Sequence, residues 1–151
     1  MITFRQLNAS DHATICNHRQ LMFAEMGTDP EVLARASALY AQWLEPRLAD
    51  GSYFGFIAED AGAIIAGAGL RIMDFPPNPN DPESNRRGFV LDVYVQPSHR
   101  GQGIAYELMQ RGEAELKRRG IAYATLQASE KGRPLYKKLG WTSTTEMGKK
   151  L

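Results

Sequence analysis

Residues 89–105 constrain the fold of this chain more than any other stretch. Phe89-Val90-Leu91-Asp92-Val93-Tyr94-Val95 is rich in β-branched and aromatic residues and reads as a central strand. It passes through Gln96-Pro97-Ser98-His99-Arg100 to Gly101-Gln102-Gly103-Ile104-Ala105, where a helix begins at once. That helix, from about Gly103 to Arg119, should bury Ala105, Leu108, Met109, Gly112 and Leu116, and Gly120 stops it. A helix start leaves N–H groups unpaired at a positive dipole end. Glycines let such a backbone come close to an anion, so the junction is a candidate phosphate site. Two common uses of such a junction fail on spacing. A triphosphate loop needs GxxxxGK followed by Ser or Thr, which this chain lacks. A dinucleotide turn needs a small residue where Tyr106 stands.

The flanking segments supply the rest of a sheet. Ile2 to Leu7 alternates apolar and polar, as a half-buried strand does. Ser10 or Asp11 should cap a helix running to about Met26. Gly27-Thr28-Asp29-Pro30 breaks it, and Pro30 suits the first position of the next helix. That second helix places Val32, Ala36, Leu39, Tyr40, Trp43, Leu44 and Leu48 on one face and ends at Asp50-Gly51. Strands near 52–59 and 63–74 join through Asp60-Ala61-Gly62, a hairpin signal. Pro76, Pro77, Pro79 and Pro82 exclude regular structure and leave a long loop. A strand at 121–128, a short helix from about Lys131 to Leu139, and one or two strands within 141–151 complete the order. This succession argues one three-layer α/β domain over 1–151, with a mostly antiparallel sheet.

Arg100-x-x-Gly103-x-Ala105, five residues after Val95, resembles the R/Q-x-x-G-x-G/A motif of the GNAT superfamily of acyl-CoA-dependent N-acyltransferases. Leu126-Gln127-Ala128-Ser129 falls where that family has its next strand. Pro134-Leu135-Tyr136-Lys137-Lys138-Leu139-Gly140-Trp141 is similar to the family's LYEKLGF segment, and Glu146-Met147 to the pair opening its last strand. The resemblance covers essentially the whole chain. It implies a GNAT-like α/β (α+β) fold: a mixed, mostly antiparallel sheet of 6–7 strands, about four flanking helices, and splayed central strands.

The resemblance also implies roles. Main-chain groups of Val93, Tyr94 and Val95 would pair with the pantetheine arm of acetyl-CoA as an added strand does. The N–H groups of Gly101, Gln102, Gly103, Ile104 and Ala105 would hold its pyrophosphate, with Arg100 at the motif's first position. Ser129 stands where many members carry an Asn that bonds the pantetheine. An N–H near Val93 would polarise the thioester carbonyl. Tyr136 takes the general-acid position, and a phenol with an ordinary pKa near 10 is still protonated at pH 7. Asp92, beside the proposed acyl site, and Glu25, near the end of the first helix, are candidate bases, and water is the alternative. Phe89 and Leu91 are apolar where some members carry acidic or histidine residues. Relatives dimerise through the last strands, so a homodimer belongs to the same expectation.

Composition narrows the alternatives. Cys16 is the only cysteine, which excludes an internal disulfide and a cysteine metal cluster. His12 and His18 lack a third ligand at metal spacing, so no metal is expected. No apolar run approaches the roughly 20 residues of a membrane helix. No secretory signal is visible, so a cytoplasmic protein is expected. No basic run with interleaved aromatics suggests nucleic acid. Residues 1–99 carry a net charge of −5 and residues 100–151 a net of +6. That asymmetry leans toward a cationic acceptor and an anionic donor. The expected activity is transfer of an acetyl group from acetyl-CoA to a primary amine of a small molecule or peptide. A catalytically idle acyl-CoA sensor or interaction module is the alternative.

Overall fold

The computed structural model describes all of residues 1–151. Five strands form one sheet in the order β1-β2-β3-β4-β5: β1 Ile2–Gln6, β2 Tyr53–Asp60, β3 Ala63–Asp74, β4 Arg86–Val95 and β5 Ala124–Leu126. The first three pairings are antiparallel and β4/β5 is parallel. A parallel pair needs a crossover, and α3 (Ile104–Arg118) supplies it. Helices α1 (His12–Glu25) and α2 (Pro30–Ala49) cover one face of the sheet, while α3 and the short α4 (Arg133–Lys138) cover the other.

Each face has its own apolar cluster. Phe54, Leu70, Val90, Met109, Leu116 and Ile121 pack under α3, with Tyr136, Leu139 and Trp141 against them. Ile15, Leu44, Leu48 and Tyr53 pack under α1 and α2. Each leucine so buried contributes about 2 kcal/mol. In α3 the inward face is Ile104, Leu108, Met109, Gly112, Glu115 and Leu116, close to the expected stripe.

Local capping differs from expectation at one helix and matches it at another. Asn8, not Ser10 or Asp11, opens the turn before α1, accepting from the Ser10 N–H at 2.9 Å. Asp11 occupies the N-cap position of α1 without a side-chain cap bond there; its oxygens take Arg5 at 2.9 Å, and Oδ2 also accepts from the Asn8 N–H at 2.9 Å. Asp29 caps α2 through the N–H groups of Glu31 and Val32, with Pro30 following it.

Two expectations fail. The segment 141–151 forms no strand, so the sheet has five strands rather than six or seven. Trp141 is the last residue with an inward contact, and Thr142 to Leu151 is exposed throughout. Its polar sequence, with Met147 94% exposed, has no alternating apolar face to bury. On α2, Val32 and Leu39 are exposed instead of packed. Both border a groove of about 300 Å³ between α1 and α2, which Cys16, Phe23 and Trp43 also line.

Candidate active site

The parallel ladder between β4 and β5 is short. Gly88, Phe89 and Val90 pair with Ala124, Thr125 and Leu126, and pairing ends there. From Leu91 to Val95, β4 is bonded only on its β3 side, so its other edge is free. A side chain at residue 88 would collide with Leu116 and Ala124, so Gly88 lets α3 and β5 close on β4.

The loop into α3 stands at the end of this free edge. Gly101 and Gly103 have φ of +77° and +79°, a region that costs other residues about 1–2 kcal/mol. Their missing Cβ atoms would face open space. No backbone carbonyl accepts from the N–H groups of Gly101 through Tyr106, and the first return bond is Glu107 N to Gly103 O at 3.1 Å. Six successive donors are thus without a partner at a helix start. A glycine-rich helix start of this kind is a general anion-binding arrangement.

Arg100 does not join this array. Its Nε donates to the carbonyl of Val95 at 2.8 Å, and Nη2 donates to both Glu25 oxygens at 2.8 and 2.9 Å. Its guanidinium also lies 5.6 Å from the Tyr94 ring centre. Arg100 therefore pins the junction to the end of α1, and Glu25 is its ion partner. Ser129 Oγ accepts from the Gly132 N–H at 3.1 Å, bracing the turn into α4 while its O–H is free to donate.

Tyr136 sits on α4 against the cluster under α3. Burial pushes its phenol above the ordinary value of 10. It borders a cavity of about 550 Å³, walled by α3, β5, α4 and residues 141–146, that includes Leu126 and Ala128 but none of residues 101–105. The cavity therefore does not extend to the loop at 101–105.

The α1/α2 face is built from side chains. At Asp92 the register of β3 and β4 shifts, and the residue takes φ of +57°. Both Leu91 and Asp92 consequently face α1 and α2. Asp92 is 6% exposed; its Oδ1 receives Arg19 Nη1 at 2.6 Å, and its Oδ2 receives the hydroxyls of Tyr53, at 2.8 Å, and Tyr40. Gly69 makes the room, since any Cβ there would strike the Tyr53 hydroxyl. Burial, reinforced by the Asp92 charge, raises the pKa of Tyr40 and Tyr53, so both hydroxyls stay protonated donors. The Arg19 guanidinium lies over Tyr40 and Phe23, at 4.3 and 5.0 Å from their ring centres. His18 is buried against Tyr94, ring centres 4.8 Å apart, and burial lowers its pKa, so it is neutral at pH 7.

The model of the Acetyltransferase (GNAT) family matches residues 14–141. This chain is a GNAT acetyltransferase. The GCN5-related N-acetyltransferase of Ralstonia eutropha JMP134 is 48% identical, with a TM-score of 0.98 over 100% of this chain and 99% of that one. An acetyltransferase of Clostridium acetobutylicum, solved with acetyl-CoA, is 30% identical, with a TM-score of 0.90 over 100% and 96%. AAC(6')-Iy bound to a bisubstrate analogue shares the fold at 18% identity, with a TM-score of 0.72 over 100% and 97%. No curated protein sequence matches.

Within this GNAT frame the predicted residues fall into two groups. Val93, Tyr94, Val95 and Gly101 to Ala105 come together along one edge, and Tyr136 and Ser129 stand across the splay on the β5 side. Asp92 and Glu25 do not converge: one is held under α1 and α2, the other at the junction with Arg100. Sequence reasoning missed Arg19, His18, Tyr40 and Tyr53 as partners at the site. Periodicity assigned the tyrosines to the core, which is where their rings are; what it could not show is that their hydroxyls converge on one carboxylate. The available signal was Arg19 on the inward side of α1, four residues from Ile15. No helix is long and apolar enough to cross a membrane.

Proposed function

We propose that this chain transfers the acetyl group of acetyl-CoA to a primary amine of a small molecule or peptide, by direct attack in a ternary complex. The run of six unpaired N–H groups beside the free edge of β4 carries this reading. The thioester supplies an activated acetyl group and a thiolate leaving group. Main-chain groups of Val93, Tyr94 and Val95 align the pantetheine, with the Ser129 hydroxyl opposite. Backbone N–H groups from Gly101 to Ala105 hold the pyrophosphate, and the N–H near Val93 faces the carbonyl whose oxygen gains charge. Tyr136, kept protonated by burial, gives its proton to the departing sulfur.

Both candidate bases are occupied. Glu25 is bound on two oxygens by Arg100, and Asp92 receives Arg19, Tyr40 and Tyr53. We therefore assign removal of the amine proton to water and make Asp92 a positioning residue for Arg19 and the two phenols. Thiol release from acetyl-CoA, measured with a panel of amines, tests the proposal. Amine-dependent release is the expected result. CoA binding without such release would make the chain a sensor or interaction module instead.

A further inference from the structure

Two guanidinium groups on the α1/α2 face, both beside Trp43, make no ion pair, although the Asp50 charge acts on each. Arg71 of β3 makes no ion pair, and its Nη1 is buried without a hydrogen-bond partner. Burial, and secondly the nearby Arg47 charge, lowers its pKa. Arg47 of α2 gives one N–H to the carbonyl of Trp43 at 2.7 Å and pairs with no carboxylate. Both guanidinium groups lie on the Trp43 ring, 4.5 Å from its centre for Arg47 and 5.1 Å for Arg71. Asp50, the nearest opposite charge acting on Arg71, accepts instead from the Ser52 N–H at 2.8 Å. A charged donor buried without an acceptor is costly, and a planar guanidinium is satisfied best by the paired oxygens of a carboxylate or phosphate.

We propose that Arg71, with Arg47 and the Trp43 ring beside it, binds an anionic group on the amine acceptor. This rests on the acetyl-transfer reading above and names the class of its second substrate. Part of the acidic surplus of residues 1–99 is taken up in ion pairs away from these arginines. Asp92 pairs with Arg19, Glu25 with Arg100, Asp11 and Glu59 share Arg5, and Asp60 pairs with His99 and the N-terminus. The two arginines on Trp43 are thus a local cationic site within that surplus, which points away from the cationic acceptor that the charge asymmetry suggests.

Position adds a length requirement. Arg71 pairs with Phe89 across the ladder, on the same strand as Val93. At about 3.3 Å per residue, Phe89 and Val93 are roughly 10 Å apart along β4, allowing for the bulge. An α-amino acid, whose amine and carboxylate share one carbon, could span that distance only if the Arg71 side chain reached along β4 toward Val93. An ω-amino acid, a peptide reacting at the end remote from its carboxylate, or an amino sugar phosphate can. Apolar Phe89 and Leu91 would line the stretch between.

The test is calorimetric titration onto CoA-saturated protein, which needs no turnover. The probes are 6-aminohexanoate, glucosamine 6-phosphate, hexylamine and 1,6-diaminohexane. At least one anionic probe should bind tenfold or more tighter than both uncharged-tail and dicationic amines, and which one binds separates carboxylate from phosphate. Arg71→Ala should abolish that preference, while Arg71→Lys, which keeps the charge and the fold but not the fork, should retain part of it. CoA affinity should stay unchanged in both variants, confirming that they fold. Equal binding of all four probes, tighter binding of the diamine, or an Arg71→Ala variant within twofold of wild type would each overturn the inference. Absence of thiol release with every amine would instead refute acetyl transfer, and the titration would still decide the role of Arg71.

Discussion

Beside α3, the groups available for binding belong to the main chain: six consecutive N–H donors and the free edge of β4. On the opposite face, α1, α2, β2, β3 and β4 each contribute side chains, and most of these are already bound to one another. On the proposed reading, the first surface suits any ligand with a pyrophosphate and an amide-bearing arm. The second is shaped by which side chains face one another, so it is where selectivity among acceptors can be written. On the same reading, donor binding needs only backbone geometry, whereas choice of acceptor needs convergent side chains.

The sharpest way to break this contrast is to empty the α1/α2 network. Asp92→Ala leaves a largely buried arginine and two phenols without their acceptor. It should cost about 3 kcal/mol by denaturant unfolding, at the lower end for a broken buried pair because Arg19 is 31% exposed. Asp92→Asn, which tolerates the positive φ, should recover part of the loss. Little change in either variant would mean that the face is held by packing alone.

Tyr136→Phe probes the junction between the two surfaces. Turnover should fall about 100-fold with CoA affinity and melting temperature nearly unchanged, because general-acid catalysis typically contributes that much. Burial places the phenol's pKa above 10, so activity depending on its proton persists below that value and declines as pH rises through it. A pH–rate profile with the same alkaline limb in wild type and Tyr136→Phe would remove the assignment.

Gly103→Ala tests whether backbone geometry alone sets donor affinity. The substitution meets open space but forces a left-handed conformation, costing about 1–2 kcal/mol. Acetyl-CoA KM should rise roughly tenfold, while affinity for an acceptor analogue should not move. Glu25→Gln should have the smallest effect. Its ion pair with Arg100 is more than a third exposed on both sides, so stability should drop by less than about 1 kcal/mol. An unchanged pH–rate profile is expected, and loss of the acidic limb would restore Glu25 as a base.

Particular residues show why the donor side was legible and the acceptor side was not. Gly101, Gly103 and Gly120 announce a turn and a helix stop through conformations that other residues adopt only at a cost, and such signals are local. Asp92 looked like one strand residue among seven. Its direction depends on a register shift against Gly67 and Gly69, which lie far away in the chain. Arg71 carried no local signal at all, because its lack of a partner depends on where Trp43, Arg47 and Asp50 fall. The failed strands at 141–151 mark the reverse case, where a family-like Glu146-Met147 lies in a segment too polar to cover an edge.

By itself, the sequence determined the strand-to-helix junction, the hairpin and the helix breaks. These follow from dihedral preferences and from apolar periods of two and 3.6 residues, which act between neighbours in the chain. Tertiary structure alone decided the free edge of β4, the pairing of Asp92 with Arg19 and two tyrosines, and the missing ion partner of Arg71. Those properties are set by burial and by the electrostatic partners that folding supplies, and no residue carries them until its distant neighbours are in place.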